Sequence, residues 1–284
     1  MPESSFSLSS ARIVIIGLGL MGGSLAYSLK EHCYRLSALD SDQPTLELAR
    51  RMEIVHAVGN DPGELISDAD LVILACPVPD ILKWIDRLPE YIQHPCIVVD
   101  IGSSKREIIK AFEDLPANFN PIGGHPICGG ENLSLTNARH FLFRDSPFVL
   151  TPLARSDDNA RQAALQLIDV IDAYPVWLNA DEHDLILAST SHQPYLISSA
   201  LALAIPQDTE SLIGPGLRSS LRLAGTPSSM MLGVLLSNRD YVIAALQSFQ
   251  EQLSLLESVL QENDSIQLKT ILDNAQNKFQ SLIG

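Results

Sequence analysis

Arg12-Ile13-Val14-Ile15-Ile16-Gly17-Leu18-Gly19-Leu20-Met21-Gly22-Gly23-Ser24-Leu25 is the stretch that decides the fold. An apolar run stops at a GxGxxG turn and a helical pattern follows, which is the order strand, glycine-rich turn, helix. Gly17 permits the tight turn, Gly19 lets the backbone approach a pyrophosphate, and Gly22 lets the helix pack on the strand. The N–H groups that open the helix, at Leu20 and Met21, then face the phosphate charge. A glycine-rich turn in an ordinary βα unit is the competing reading, and Asp40 weighs against it. Asp40 closes the next strand-like run, 35–39, about 20 residues on, where a ribose 2′-hydroxyl needs an acceptor. A carboxylate there repels a 2′-phosphate, and Ser41-Asp42 bring no Arg or Lys to reverse that. NAD is therefore expected in preference to NADP.

Working outward, short β-like runs at 12–16, 35–39, 71–75, 97–100, 147–150 and 175–178 alternate with helical stretches at 43–52, 80–88, 105–115 and 156–172. Continuous apolar runs without alternation suit strands covered on both faces. The fold class is thus α/β, a Rossmann-type doubly wound, mostly parallel sheet. After residue 180 the β-runs cease. Helical spacing fills 181–205, 230–263 and 266–282, with a Pro/Gly-rich segment at 205–227. The expected organisation is a dinucleotide-binding domain over 1–179 and an all-helical domain over 180–284. The Leu, Ile and Ala content of the latter suggests that it buries part of its surface against a second copy, as a homodimer.

The net charge of −15 and the absence of a basic stripe argue against nucleic-acid or anionic-membrane partners. Small anionic substrates need only two or three local cations and stay open. Cys33, Cys76, Cys96 and Cys128 form no CxxC pair and read as reduced thiols. The N-terminus lacks the basic and apolar regions of a signal peptide, and the apolar helix at 195–205 is too short to span a bilayer. A cytoplasmic protein is expected.

Ligands of a doubly wound sheet collect at the carboxyl ends of its strands, and three segments fall there. Cys76-Pro77, after the run at 71–75, belongs either beside the cofactor or in a Pro-stiffened turn. Ser103 and Ser104, in DIGSSK, stand where a strand becomes a helix; one of them either caps that helix or offers a hydroxyl to a substrate. Gly123-Gly124-His125-Pro126 sets a histidine between flexible and rigid backbone, a segment shaped to present one side chain. An alcohol losing hydride must also lose its hydroxyl proton, and an imidazole, with an ordinary pKa of about 6.5, suits that transfer. His125 is the expected catalytic base. Ser191-His192-Gln193-Pro194-Tyr195 is a polar cluster opening an apolar helix, partly accounted for by N-capping. Arg218 and Arg222, four apart, share a helix face and either clamp a carboxylate or form salt bridges. The other histidines show no metal-ligand spacing, so no metal is expected.

In order, GLGLMGGSLA, ACP, DIGSSK, GGHP, SHQPY and GLRSSLR resemble the prephenate/arogenate dehydrogenase family of tyrosine biosynthesis, over nearly the whole chain. The resemblance implies a Rossmann domain joined to a helical dimerisation domain, and oxidative decarboxylation of a cyclohexadienol with NAD. It implies that His125 takes the ring hydroxyl's proton, with Ser103 hydrogen-bonded to that hydroxyl and to the histidine. Arg222 then grips the substrate, Ser191 and His192 open the substrate-binding helix, and Glu131 lies near the pocket mouth. The chain departs from the family pattern at Tyr195, where prephenate-using members often carry a second histidine, and at Ser219, where they carry an acid. Both lie where the substrate's side chain would be read, so arogenate and prephenate both stay open. Other readings are a two-domain 3-hydroxyacid dehydrogenase or imine reductase, against which GGHP speaks, and an inactive NAD-binding regulator. No regulatory domain is expected after the helices.

Overall fold

The computed structural model describes residues 6–130, 132–207 and 209–283. In chain order it runs β1 (Arg12–Ile16), α1 (Leu20–Leu29), β2 (Arg35–Leu39), α2 (Gln43–Met52), β3 (Ala57–Gly59), α3 (Pro62–Leu65) and β4 (Leu71–Leu74). Next come α4 (Val78–Tyr91), β5 (Cys96–Asp100), α5 (Arg106–Glu113), β6 (Phe119–Pro126), β7 (Pro147–Pro152), α6 (Asp158–Val170) and β8 (Tyr174–Trp177). Helices α7 (Ala180–Leu187), α8 (Gln193–Ala204), α9 (Pro215–Leu221) and α10 (Ser228–Ser237) follow, then α11 (Arg239–Gln261) and α12 (Ser265–Ile283). Met1–Asn238 and Arg239–Gly284 are two compact units. The first holds the sheet and α1 to α10; the second is the helix pair α11 and α12.

The eight strands form one sheet in the order β3-β2-β1-β4-β5-β6-β7-β8. Its apolar runs lack alternation because both faces are covered: Ile13 and Ile15 enter one buried cluster, Val14 and Ile16 the other. Pairing is parallel except between β6 and β7. The reason lies in the connections. Among the described residues only a short 3₁₀ turn, Leu135–Asn137, and no α-helix lies between β6 and β7, so the chain returns antiparallel, and α6 then carries it over to a parallel β8.

The chain order reverses between β1 and β4, which opens a crevice at their carboxyl ends. The six expected β-runs leave out β3, three residues too short to show a period, and β6, the strand that carries the GGHP segment and is interrupted by Pro121 and its two glycines. The helical stretch at 230–263 is two helices that break at Asn238. Local chemistry sets several helix starts: Asp42 accepts from Thr45 N–H at 3.0 Å, and Asn179 with Glu182 forms a capping box. Among the described residues no helix is long and apolar enough to cross a membrane.

Candidate active site

Gly17 adopts φ +101°, and a Cβ there would lie 2.6 Å from the Ala75 carbonyl oxygen. A Cβ on Gly22 would come within 1.9 Å of the Gly17 oxygen. Both glycines are thus required where α1 meets the ends of β1 and β4. Asp40 is tied to the same turn, its carboxylate accepting the Leu18 N–H at 2.7 Å and the Asp42 N–H at 2.9 Å. A cleft of about 920 Å³ opens here, lined by Gly17, Gly19, Leu20, Met21, Asp40, Cys76, Pro77 and Ser103 among others. Burial pushes the Cys76 thiol up to about 12, so the thiol itself is uncharged. The bare glycine backbone and the acid at the end of β2 fit a dinucleotide. One helix-opening N–H is already engaged: Leu20 N–H donates to the Leu133 carbonyl at 2.6 Å. Lys83 and Arg87 of α4 also line the cleft, cations that the residues after Asp40 do not reveal.

Two strands along, β5 and β6 end together. Asp100 is fully buried and binds the Lys105 ammonium; its carboxylate also accepts Gly102 N–H at 2.7 Å and Gly124 N–H at 3.2 Å. This joins the end of β5 to the diglycine of β6 and holds the backbone that presents His125. Lys105 has no exposure; burial lowers its pKa, against the opposing pull of Asp100. His125 Nδ1 lies 2.8 Å from His183 Nε2, and His183 Nδ1 lies 2.7 Å from Asp184 Oδ1. Burial, then His183, Lys105 and His192, hold His125 well below its ordinary pKa. The imidazole is therefore neutral at neutral pH, the form a base requires.

Neither Ser103 nor Ser104 caps α5. Asp184 does so from α7, accepting Lys105 N–H at 2.7 Å and Arg106 N–H at 2.9 Å. Ser104 instead meets Ser237 of α10 at 2.6 Å, which leaves Ser103 on the cleft wall. The cluster at Ser191 and His192 is not a helix start either. A π-helical turn, Ala188–His192, carries α7 directly into α8. Such bulges re-aim side chains, and here His192 is buried, with Nδ1 3.2 Å from the Asn238 amide. Burial lowers its pKa to about 4. Ser191 is exposed and Tyr195 half-buried. Arg218 sits in α9 and Arg222 just past its end, both exposed and neither lining the cleft. Ser198, one turn beyond Tyr195, pins that corner by donating to Ser220 O at 2.9 Å and accepting Ala224 N–H at 3.0 Å. Glu131 lies outside the described residues. Among the described residues no group of three or more His, Cys, Asp or Glu side chains could hold a metal ion.

A family model described as the nucleotide-binding domain of prephenate dehydrogenase matches residues 25–175, and one described as its dimerization domain matches residues 179–274. The chain belongs to the prephenate dehydrogenase family. It is an oxidoreductase with a nucleotide-binding domain. A prephenate dehydrogenase of Bacillus subtilis is 24% identical over 263 residues, covering 89% of this chain and 71% of its own. A cyclohexadienyl dehydrogenase of Zymomonas mobilis is 27% identical over 261 residues, 89% of each chain. The solved arogenate dehydrogenase of Synechocystis matches with a TM-score of 0.80 at 25% identity, covering 95% of this chain and 99% of that one. The fold is also that of Aquifex aeolicus prephenate dehydrogenase, solved with hydroxyphenyl propionate and NAD+, at a TM-score of 0.89 and 23% identity over 98% and 100% of the two chains.

Sequence reasoning missed five residues of this dehydrogenase that surround His125 and His192: Asp100, Lys105, His183, Asp184 and Asn238. Asp100 and Lys105 stood inside the DIGSSK motif as charges within an apolar context. His183-Asp184, an acid beside a histidine at the opening of the helical region, was the available signal for the rest.

Proposed function

We propose that this enzyme oxidatively decarboxylates a carboxylated cyclohexadienol, arogenate or prephenate, with NAD, yielding tyrosine or 4-hydroxyphenylpyruvate. The observation that carries the reading is His125 at the end of β6, its Nδ1 2.8 Å from His183 Nε2, beside a strand whose end delivers Ser103 into the dinucleotide cleft. Gly17, Gly19, Leu20, Met21 and Gly22 would hold the pyrophosphate, Asp40 the adenosine ribose, and Cys76 and Pro77 the wall beside it. When bound, NAD accepts a hydride from the hydroxyl-bearing carbon.

His125 takes the hydroxyl proton while Ser103 holds the same oxygen. The ring carboxylate leaves as CO2, the electron pair it releases completes the aromatic ring and returns the ring oxygen to an oxyanion, and His125 gives the proton back to that oxygen. Aromatisation supplies the driving force, so the chain's task is orientation and proton removal. Arg222, with Arg218 four residues before it, serves the substrate's carboxylate. Ser191, His192, Tyr195 and Glu131 belong to the region that reads its side chain. Asp40 supports NAD over NADP by like-charge repulsion of a 2′-phosphate. Residues 180–284 form the substrate and dimer domain, in line with the family's dimerization domain. Exposed Leu253, Leu260, Leu272 and Phe279 support a homodimer through α11 and α12.

The test is to follow NADH formation with NAD and each of the two substrates, for the wild type and His125→Asn. Wild-type turnover with at least one substrate is expected, lost in the variant by about 10²-fold or more while NAD binding stays. NAD binding without turnover on either substrate would overturn the reading. Full activity of His125→Asn would remove the histidine from its role.

A further inference from the structure

We propose that His183, backed by Asp184, is a positioning residue that sets the tautomer of His125 and leaves Nε2 of His125 as the proton-accepting atom. The proposal rests on His125 being the base of the reaction above. It follows from a count of protons along one buried chain of hydrogen bonds.

Asp184 has no exposure, and every partner around its carboxylate is a donor. Oδ1 receives the Lys105 N–H at 2.7 Å; Oδ2 receives the Arg106 N–H at 2.9 Å and Nε at 3.4 Å. Burial works to raise this carboxyl, but the His183 hydrogen bond and the two N–H groups outweigh it and keep the acid ionised. An ionised carboxylate only accepts. His183 Nδ1, 2.7 Å away, must therefore carry a hydrogen.

His183 is itself fully buried, and burial favours its neutral form. A neutral ring with its hydrogen on Nδ1 has a bare Nε2, and that atom lies 2.8 Å from His125 Nδ1. Two bare nitrogens at that distance would repel, so His125 Nδ1 donates. The lone pair of neutral His125 is then confined to Nε2. Were His183 an imidazolium, its Nε2 would donate instead and the hydrogen of His125 would move to Nε2, blocking proton uptake. The other groups facing the pair suit the neutral arrangement. Lys105 is a nearby cation held by Asp100, and His192 is neutral against Asn238. Asp184 has work independent of His183, as the cap of α5, so His183 is the member whose purpose lies with His125.

Two variants separate this role from packing. In His183→Asn the amide falls where Nδ1 was, so it still meets Asp184 but does not reach His125. In His183→Gln it extends to the position of Nε2 and restores an acceptor for the His125 N–H. Histidine-selective 15N NMR of the full-length wild type at neutral pH is expected to show His125 protonated at Nδ1 and bare at Nε2. His183→Asn should move that hydrogen toward Nε2 and lower kcat about 10²-fold or more, with KM for NAD and substrate unchanged. His183→Gln should recover most of kcat. The proposal is overturned if wild-type His125 carries its hydrogen on Nε2, or if both variants lose kcat equally. A wild type that turns over neither substrate refutes the functional reading alone, because the NMR result still decides the tautomer.

Discussion

Replacing Gly22 with Ala tests whether the glycine turn holds its cleft by close packing of backbone on backbone. The added Cβ would lie 1.9 Å from the Gly17 carbonyl oxygen and 3.2 Å from the Ala75 Cβ. The first contact must open by at least 1.1 Å to reach 3.0 Å, a distance below which real Cβ atoms essentially never come. Neither side yields easily. The Gly17 peptide is held at φ +101°, its N–H bonds Leu39 O at 2.8 Å, and Ala75 blocks its far side. The movable part is α1, which must lift from the sheet. Overpacking of this kind costs about 1–3 kcal/mol, and rigid backbone on both sides puts this case near 3. For a chain of this size that lowers Tm by roughly 6–12 °C. The same shift moves the Met21 N–H and the turn before it, and a misplacement of about 1 Å can cost a positioned group about 10²-fold. We expect a folded protein by circular dichroism, a Tm lower by that amount, and an NAD Kd raised at least tenfold by fluorescence titration. Gly216→Ala is the control, since a Cβ there meets nothing within 4 Å. A Gly22→Ala protein with wild-type Tm and wild-type NAD affinity would refute the reasoning.

Two further outcomes follow from the electrostatics. Asp40→Asn keeps an acceptor for the Leu18 N–H but removes the charge, so the ratio of NADP to NAD dissociation constants should fall at least tenfold, about 1.4 kcal/mol; an unchanged ratio would separate Asp40 from cofactor choice. His192 titrates at about 4 when folded, against 6.5 ordinarily, so between those values the unfolded chain binds the proton that the folded chain refuses. Stability is therefore complete above pH 6.5 and is lost as pH falls toward 4, by roughly 3 kcal/mol at most from this group. His125 and His183, both lowered, act in the same direction. Urea midpoints measured from pH 7 to 4.5 should fall more steeply for the wild type than for His192→Gln, and parallel slopes would contradict this.

The family resemblance was carried by six short motifs, and each was legible because its chemistry is local. A glycine-rich turn must follow its own strand, an acid must end the next strand, and GGHP sets its histidine between two glycines and a proline. Other features escaped because they depend on partners distant in the chain. Whether one of Ser103 and Ser104 caps α5 or faces a substrate stays open until Asp184, from α7, is seen to occupy that helix start. The polar residues from Ser191 to Gln193 read as a helix start, yet α7 runs through them by a π-helical turn that no period of 3.6 residues signals. The antiparallel β7 was hidden because strand direction depends on the connection before it, not on the strand's own residues.

By itself, the sequence determined the doubly wound sheet and placed the glycine turn, Asp40 and the candidate His125 along it, since apolar period and backbone sterics act over a few neighbouring residues. Only the tertiary structure shows what faces His125 Nδ1 and so bears on which of its atoms is free. That depends on His183 and Asp184, which lie 58 and 59 positions further along the chain and are brought to it by the packing of α7 against the start of α5. A hydrogen bond is set by distance in space, and separation along the chain does not encode it.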